Sequence, residues 1–315
     1  MADAPVVDLR AVRRSFGGQL ALDELTFTAA AGTVTVLLGP NGAGKTTAVR
    51  MITGALPAEA GEVRTFGLDP AVDGEAGRRR CGVVAAKPAL YDRLTGWDNL
   101  VYAAELYGLG AHAPIEEAAA RFGIDHALDL RVGGYSTGMK TRLALARAVL
   151  HGPDLLLLDE PTSGLDPESS RAVLHMIDEL AAQGRTVVMC THLLLEAEGL
   201  ADQVVMMEKG RTLVAGSPEE LVRRVWPRPS VLVDAEDRAS LDGLASFAGV
   251  LSVTPVGGPV RVELDDLSRV PDVVARLAVD GARLTRVTPH EPTLEELYFA
   301  VRSGELRQSV PVPVG

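Results

Sequence analysis

Short runs of apolar residues, each closing on small or polar side chains, punctuate the first two thirds of the chain: Val34–Leu38 and residues 81–85, 155–158 and 186–190. Runs this short, without alternation, fit strands buried on both faces of a sheet. Residues 6–9 and 25–28 read as further short strands, and 61–67 as a strand and turn. Between the runs the period lengthens to that of a helix. Residues 98–107 place Leu100, Ala103, Ala104 and Tyr107 on one face, 114–122 start a helix at Pro114, and 48–52 and 168–183 predict two more. Residues 139–150 differ: from Leu143 to Leu150 only Arg147 is polar, so this helix is expected to be buried on nearly every side. Strands alternating with helices predict an α/β fold with a largely parallel sheet, whose ligands bind at the carboxyl ends of the strands.

The pattern breaks at 226–229, where Pro227 and Pro229 indicate a linker. Beyond it the expected order is strand 231–234, helix 239–247, strand 251–255, strand Val260–Leu264, helix Val270–Val279 and strand 283–288. That is the βαββαβ alternation of a small α+β, ferredoxin-like domain. A last helix, 293–301, sets Leu294, Leu297, Tyr298 and Val301 on one face. This face needs an apolar partner, which could be its own sheet, the first domain or the matching helix of a second subunit. The expected domain plan is 1–225, a linker at 226–229, an accessory domain at 230–302 and a flexible tail at 303–315 that contains Pro311 and Pro313.

Candidate chemistry concentrates in the first domain. Gly39, Pro40, Asn41, Gly42, Ala43, Gly44, Lys45, Thr46 and Thr47 lie between a predicted strand and a predicted helix. The spacing matches G-x-x-x-x-G-K-[ST], in which glycines let backbone N–H groups converge on phosphate oxygens. On this reading Lys45 reaches the β- and γ-phosphates, Thr46 holds Mg²⁺, and the helix start adds partial positive charge. Asp159 and Glu160 close the leucine run at 155–158. Asp159 fits a carboxylate that holds Mg²⁺, and Glu160 one that orients or deprotonates an attacking water. His192, one strand further on, can hydrogen-bond a γ-phosphate, although by itself it fits a structural histidine better. Phe16, beside Gly17 and Gly18, fits a core position when taken alone; only the phosphate loop makes it a candidate for stacking on adenine.

A length of 315 residues and a hydrophobic content of 47% suit two globular domains. No apolar stretch approaches the ~18 residues that cross a bilayer, and the first residues lack the basic start and apolar core of a secretion signal. A cytosolic location is therefore expected. A net charge of −11 argues against nucleic acid as a partner, and the basic run Arg78, Arg79 and Arg80 fits a solvated patch. Cys81 and Cys190 sit singly in apolar surroundings, which predicts reduced, structural thiols.

Together with Tyr135, Ser136, Thr137, Gly138 and Met139, and with Ser163, Gly164, Leu165 and Asp166, these motifs make residues 5–222 resemble the nucleotide-binding subunit of ATP-binding cassette (ABC) transporters. The resemblance implies a P-loop NTPase cassette with a helical subdomain, ATP and Mg²⁺ as ligands, and ATP hydrolysis coupled to transport. It also implies a sandwich of two subunits around two ATP molecules. Ser136 and Gly138 of one subunit would contact the γ-phosphate bound by the other, Asp166 would lie at the interface, and Phe16 would stack on adenine. Two departures stand out. The signature reads Tyr-Ser-Thr-Gly-Met where Leu-Ser-Gly-Gly-Gln is usual, and Ala86 stands at the family's glutamine, which links metal and water to the membrane subunit.

Residues 292–299 resemble the C-terminal extension of exporters of the daunorubicin-resistance type, whose membrane-spanning subunit is a separate polypeptide. This implies a second ATP-binding subunit, expected to be an identical copy, and attachment to the inner face of the cell membrane through the permease. Two other readings stay open. A cassette ATPase acting on ribosomes or DNA is disfavoured by the single uninterrupted cassette, and an ATP-sensing module with little turnover is disfavoured by Glu160 and His192.

Overall fold

The computed structural model describes residues 4–110 and 113–304. The chain forms two compact units that divide between Pro218 and Glu219, ahead of the linker expected at 226–229.

The first unit opens with strands β1 (Val7–Phe16), β2 (Gln19–Ala29) and β3 (Val34–Leu38), helix α1 (Lys45–Ile52), β4 (Ala60–Thr65), a short α2 (Gly74–Arg78) and β5 (Cys81–Val84). Helices α3 (Gly96–Leu106), α4 (Ile115–Arg121) and α5 (Thr137–Val149) follow. Then come β6 (Leu155–Asp159), α6 (Pro167–Ala182), β7 (Thr186–Thr191), α7 (Leu194–Ala197), β8 (Gln203–Glu208) and β9 (Arg211–Gly216). The order β5-β6-β7-β3-β8-β9 makes one sheet, parallel except for β9, while β2-β1-β4 make a separate antiparallel sheet.

The all-apolar runs are strands because both faces of the parallel sheet are covered: every residue of β3 and β6 is buried. On one face α1 is held between the sheets, with Val49, Met51 and Ile52 joining Leu25 and Phe27 of the antiparallel sheet and Leu157 of the parallel one in a single core. Helix α5 buries Leu143, Ala144, Leu145 and Ala146 in succession, as its apolar circumference predicts. It lies so close to β5 that a Cβ on Gly82 would sit 2.3 Å from the Ala148 carbonyl oxygen. Helix α3 begins on a capping box in which Thr95 and Asp98 each accept from the other's backbone N–H. The β8–β9 hairpin was not marked by the apolar runs. It turns at Lys209 and Gly210, both with positive φ, and such a pair between two apolar segments is its local signal.

From α8 (Pro218–Val225) the chain continues through β10 (Ser230–Ala235), β11 (Val250–Pro255), β12 (Val260–Leu264), α9 (Val270–Val279), β13 (Leu284–Pro289) and α10 (Leu294–Ser303). The four strands form an antiparallel sheet in the order β11-β12-β10-β13, the ferredoxin-like arrangement, over a core that includes Val231, Leu244, Val262 and Leu277. The helix expected at 239–247 is instead a 3₁₀ helix, Arg238–Ser246. Local bonds compete with α-helical ones there: the Asp237 carboxylate accepts from Ala239 N, and Ser240 Oγ donates to Asp237 O. On α10 the buried face is Leu294, Leu297, Ala300 and Val301, with Tyr298 only half-buried beside it. Of the tail expected at 303–315, Ser303 instead belongs to α10 and Gly304 caps it, and 305–315 lie outside the described residues.

Gly82→Ala should lower the unfolding free energy by about 1–3 kcal/mol, the usual effect of overfilling a packed interior. Urea denaturation checks this, and an unchanged midpoint would mean that β5 and α5 can separate at no cost.

Candidate nucleotide-binding and hydrolytic site

Register brings three strand ends to one level. Leu38 of β3 pairs with Thr191 of β7, and Asp159 of β6 pairs with Cys190 of β7. Just past these ends Gly39 N donates to Thr191 O at 3.4 Å and Glu160 N to Cys190 O at 2.9 Å. The glycine loop, both carboxylates and His192 therefore leave the sheet side by side.

The loop leaves no room for a side chain where it touches its neighbours. A Cβ on Gly39 would lie 2.3 Å from Met207 O, and one on Gly44, at φ 102°, 2.6 Å from Leu22 Cδ2. Gly44 starts α1 with no side-chain cap, so the first-turn N–H groups stay available to an anion. Lys45 is buried; its Nζ donates to Gly39 O at 2.7 Å and lies 3.2 Å from Glu160 Oε1. Thr46 Oγ1 donates to Asp159 Oδ2 at 2.7 Å, while Asp159 Oδ1 is buried with no hydrogen-bond partner among the described residues. Burial pushes the Asp159 carboxyl above its ordinary range, against the opposing pull of the Thr46 hydroxyl. Glu160 Oε2 is 2.7 Å from His192 Nδ1, and Glu160 itself has φ 50°, a strained conformation for a residue with a side chain. An orphaned carboxylate oxygen beside a threonine hydroxyl is a donor set that suits a hard divalent cation.

Other expected site residues gather elsewhere. Ser136 is the N-cap of α5, accepting from Met139 N at 3.2 Å, and Asp166 is the N-cap of α6, accepting from Ser169 N at 2.9 Å. The Ser169 bonds hold the Asp166 carboxyl below its usual range. A Cβ on Gly138 would meet Ser169 Oγ at 3.6 Å and Leu165 Cδ2 at 3.8 Å, so Ser136, Gly138 and Asp166 share one surface. Among the described residues, none of their hydrogen bonds reaches the glycine loop. Phe16 is not in the core: it closes β1 with 47% of its surface exposed, and the Arg14 guanidinium stands 5.2 Å over its ring. Ala86 is exposed and lines, with Val83, Ala85 and Arg50, a groove of about 610 Å³ that reaches Thr46 and Asp159. Cys81 and Cys190 are free and buried, and burial pushes the Cys81 thiol up to about 12, out of reach of thiolate chemistry. The sequence did not mark Thr162, Thr191 or Glu196. Both hydroxyls donate to the buried Glu196 carboxylate, and the Thr162 contact spans 34 residues, beyond any local pattern.

A glycine loop between a central parallel strand and a helix, with a carboxylate at the end of a strand in the same sheet, defines a P-loop nucleoside triphosphatase. Within that class, the chain belongs to the ATP-binding subunits of ABC transporters, ATPases coupled to transport. The ABC transporter family model matches residues 22–163. The chain is 38% identical to a Nod factor export ATP-binding protein I from a Rhizobium species, over 96% of this chain and 98% of that one. It is also 38% identical to the ABC transporter ATP-binding protein NatA of Bacillus subtilis, over 64% of this chain and 83% of that one. A solved ATP-binding subunit of an ABC transporter superposes with a TM-score of 0.64 at 30% identity, covering 70% of this chain and 92% of the other. An Atm1-family ABC exporter with ATP bound gives 0.63 at 27%, covering 71% and 40%. Among the described residues no helix is long and apolar enough to cross a membrane.

The raised Asp159 carboxyl carries a stability consequence. Because its pKa is higher folded than unfolded, it favours the folded state more as pH falls and opposes folding once ionised. Asp159→Asn should therefore stabilise the ligand-free protein at neutral pH by about 0.5–2 kcal/mol, with a gain that fades as the pH drops through the carboxyl's titration. Thermal unfolding across pH checks it; a lower melting temperature in the variant at neutral pH would contradict the assignment.

Proposed function

We propose that this chain is the ATP-hydrolysing subunit of an exporter of the daunorubicin-resistance type, dimerising on ATP to drive transport through a separate membrane permease that attaches it to the inner face of the cell membrane. The observation that carries this reading is the convergence of Lys45, Thr46, Asp159, Glu160 and His192 at three adjacent strand ends. In it, residues 39–47 bind the phosphates of ATP, with Lys45 turning from its loop carbonyl to the β- and γ-oxygens. Thr46 and Asp159 would hold Mg²⁺, which when bound neutralises charge on the phosphate oxygens. Glu160 accepts the proton of the attacking water, and His192 orients Glu160 and donates to the γ-phosphate. Phe16 offers an exposed ring to adenine.

The dimer reading is supported by the hydrogen bonds of Ser136 and Asp166, none of which, among the described residues, goes to the glycine loop of their own chain. A second copy would bring that surface to the γ-phosphate. The export reading is supported by the Nod factor export relative, whose match runs through both units. The division of labour follows: the first unit does the phosphate chemistry, and residues 230–302 stabilise or regulate the dimer.

Glu160→Gln should keep ATP affinity, stop turnover and let the ATP-bound dimer accumulate, because an amide keeps the shape but cannot take a proton. Phosphate release with size-exclusion chromatography reads both, and a normal rate in this variant would remove Glu160 as the base. Ala86→Gln should raise permease-dependent hydrolysis in a reconstituted complex by restoring an amide on the groove wall beside Thr46 and Asp159. An unchanged rate would mean that another group already serves there.

A further inference from the structure

Beneath the Glu160–His192 pair lies a second glutamate that the hydrolytic reading leaves unused. Glu196, in α7, is 7% exposed, and a carboxylate so deeply placed needs hydrogen bonds to persist. Two hydroxyls supply them. Thr162 Oγ1 donates to Oε1, and Thr191 Oγ1 donates to Oε2 at 2.7 Å. The Thr191 oxygen in turn accepts from Leu193 N at 3.0 Å, so its proton is committed to Glu196. Each threonine belongs to a segment that carries one member of the hydrolytic pair. Thr162 stands two residues after Glu160, in a turn closed by Ser163 N donating to Glu160 O at 3.1 Å and Leu165 N to Thr162 O at 3.1 Å. Thr191 is the fully buried last residue of β7 and directly precedes His192.

We propose that Glu196 is a positioning residue: its buried carboxylate clamps the turn after Glu160 to the end of β7, and so holds Glu160 within 2.7 Å of His192 despite the strain of its left-handed backbone. The proposal rests on Glu160 and His192 acting as the hydrolytic pair. Charge type matters here, because a carboxylate accepts both hydroxyl protons at once. A glutamine accepts at one oxygen only, and its amide would force the Thr162 hydroxyl to reverse from donor to acceptor.

The clamp is tested at its two hydroxyls, in the full-length protein. Thr162→Val and Thr191→Val keep the branched shape and remove the donor, whereas Thr162→Ser and Thr191→Ser keep the donor and remove a methyl. In each valine variant kcat should fall by about 10–100-fold, the scale of loss when reacting groups move out of line, with KM and ATP affinity nearly unchanged. The double valine variant should fall little further than the worse single one, because either arm alone cannot clamp. The serine variants should recover most of the rate. Valine variants that hydrolyse ATP normally, or serine variants as impaired as their valine counterparts, would overturn the clamp and leave a packing role. Glu160→Gln assayed alongside keeps the two readings apart: normal turnover there refutes the base assignment itself, whatever the threonine variants do.

Discussion

Parallel strands end with carbonyl groups that the next residue along cannot satisfy, and the site is built on how this sheet resolves that constraint. The first residues past β3 and β6, Gly39 and Glu160, donate their N–H groups sideways to Thr191 and Cys190 of β7. Those bonds continue the ladder by one step and set where the loop and the carboxylate begin. Neighbouring strand residues face opposite sides of a sheet, so a slip of one residue in β6 would turn Asp159 away from Thr46. The close approach of Gly39 to Met207 imposes the same demand from β8, since any side chain there would push the loop off its strand.

The site carries unfavourable features of its own. Among the described residues Asp159 keeps a buried oxygen without a hydrogen-bond partner, and Glu160 holds a backbone conformation that favours glycine, while the buried Lys45 ammonium is offset by Gly39 O and Glu160. None of these would survive in a region selected only for stability. All are supported from below: the core around α1 fixes the loop, and the Glu196 hydrogen bonds tie the turn after Glu160 to β7. Phosphate oxygens and a divalent cation are complementary to Lys45 and to the Asp159 oxygen respectively.

The signature surface obeys a simpler rule. Ser136 and Asp166 each start a helix, and each uses its side chain to cap a backbone N–H of the first turn. In the proposed dimer these helix starts would face phosphate, so local folding and the proposed function would ask for the same side chains there. The second unit's sheet and α9 enclose an apolar core, its pairs Arg269–Asp265 and Arg276–Asp280 are exposed, and among the described residues Arg261 Nε and Thr288 Oγ1 are buried there without a hydrogen-bond partner.

Much of this was legible in the sequence, and the reason is local. Runs such as Val34–Leu38 and the leucines at 155–158 fit buried strands by their shortness and composition, glycines at 39, 42 and 44 mark backbone that must bend closely, and βαββαβ alternation survives without knowledge of contacts. Where competition was also local but finer, the sequence misled: Asp237 and Ser240 turn an expected α-helix into a 3₁₀ helix, and Ala300 replaces Tyr298 on the buried face of α10. The exposure of Phe16 and the joining of Thr162 and Thr191 through Glu196 were decided only by the tertiary structure. A hydrogen bond across 34 residues depends on which strands are neighbours and in what register, and neither is encoded in the periodicity of any single segment.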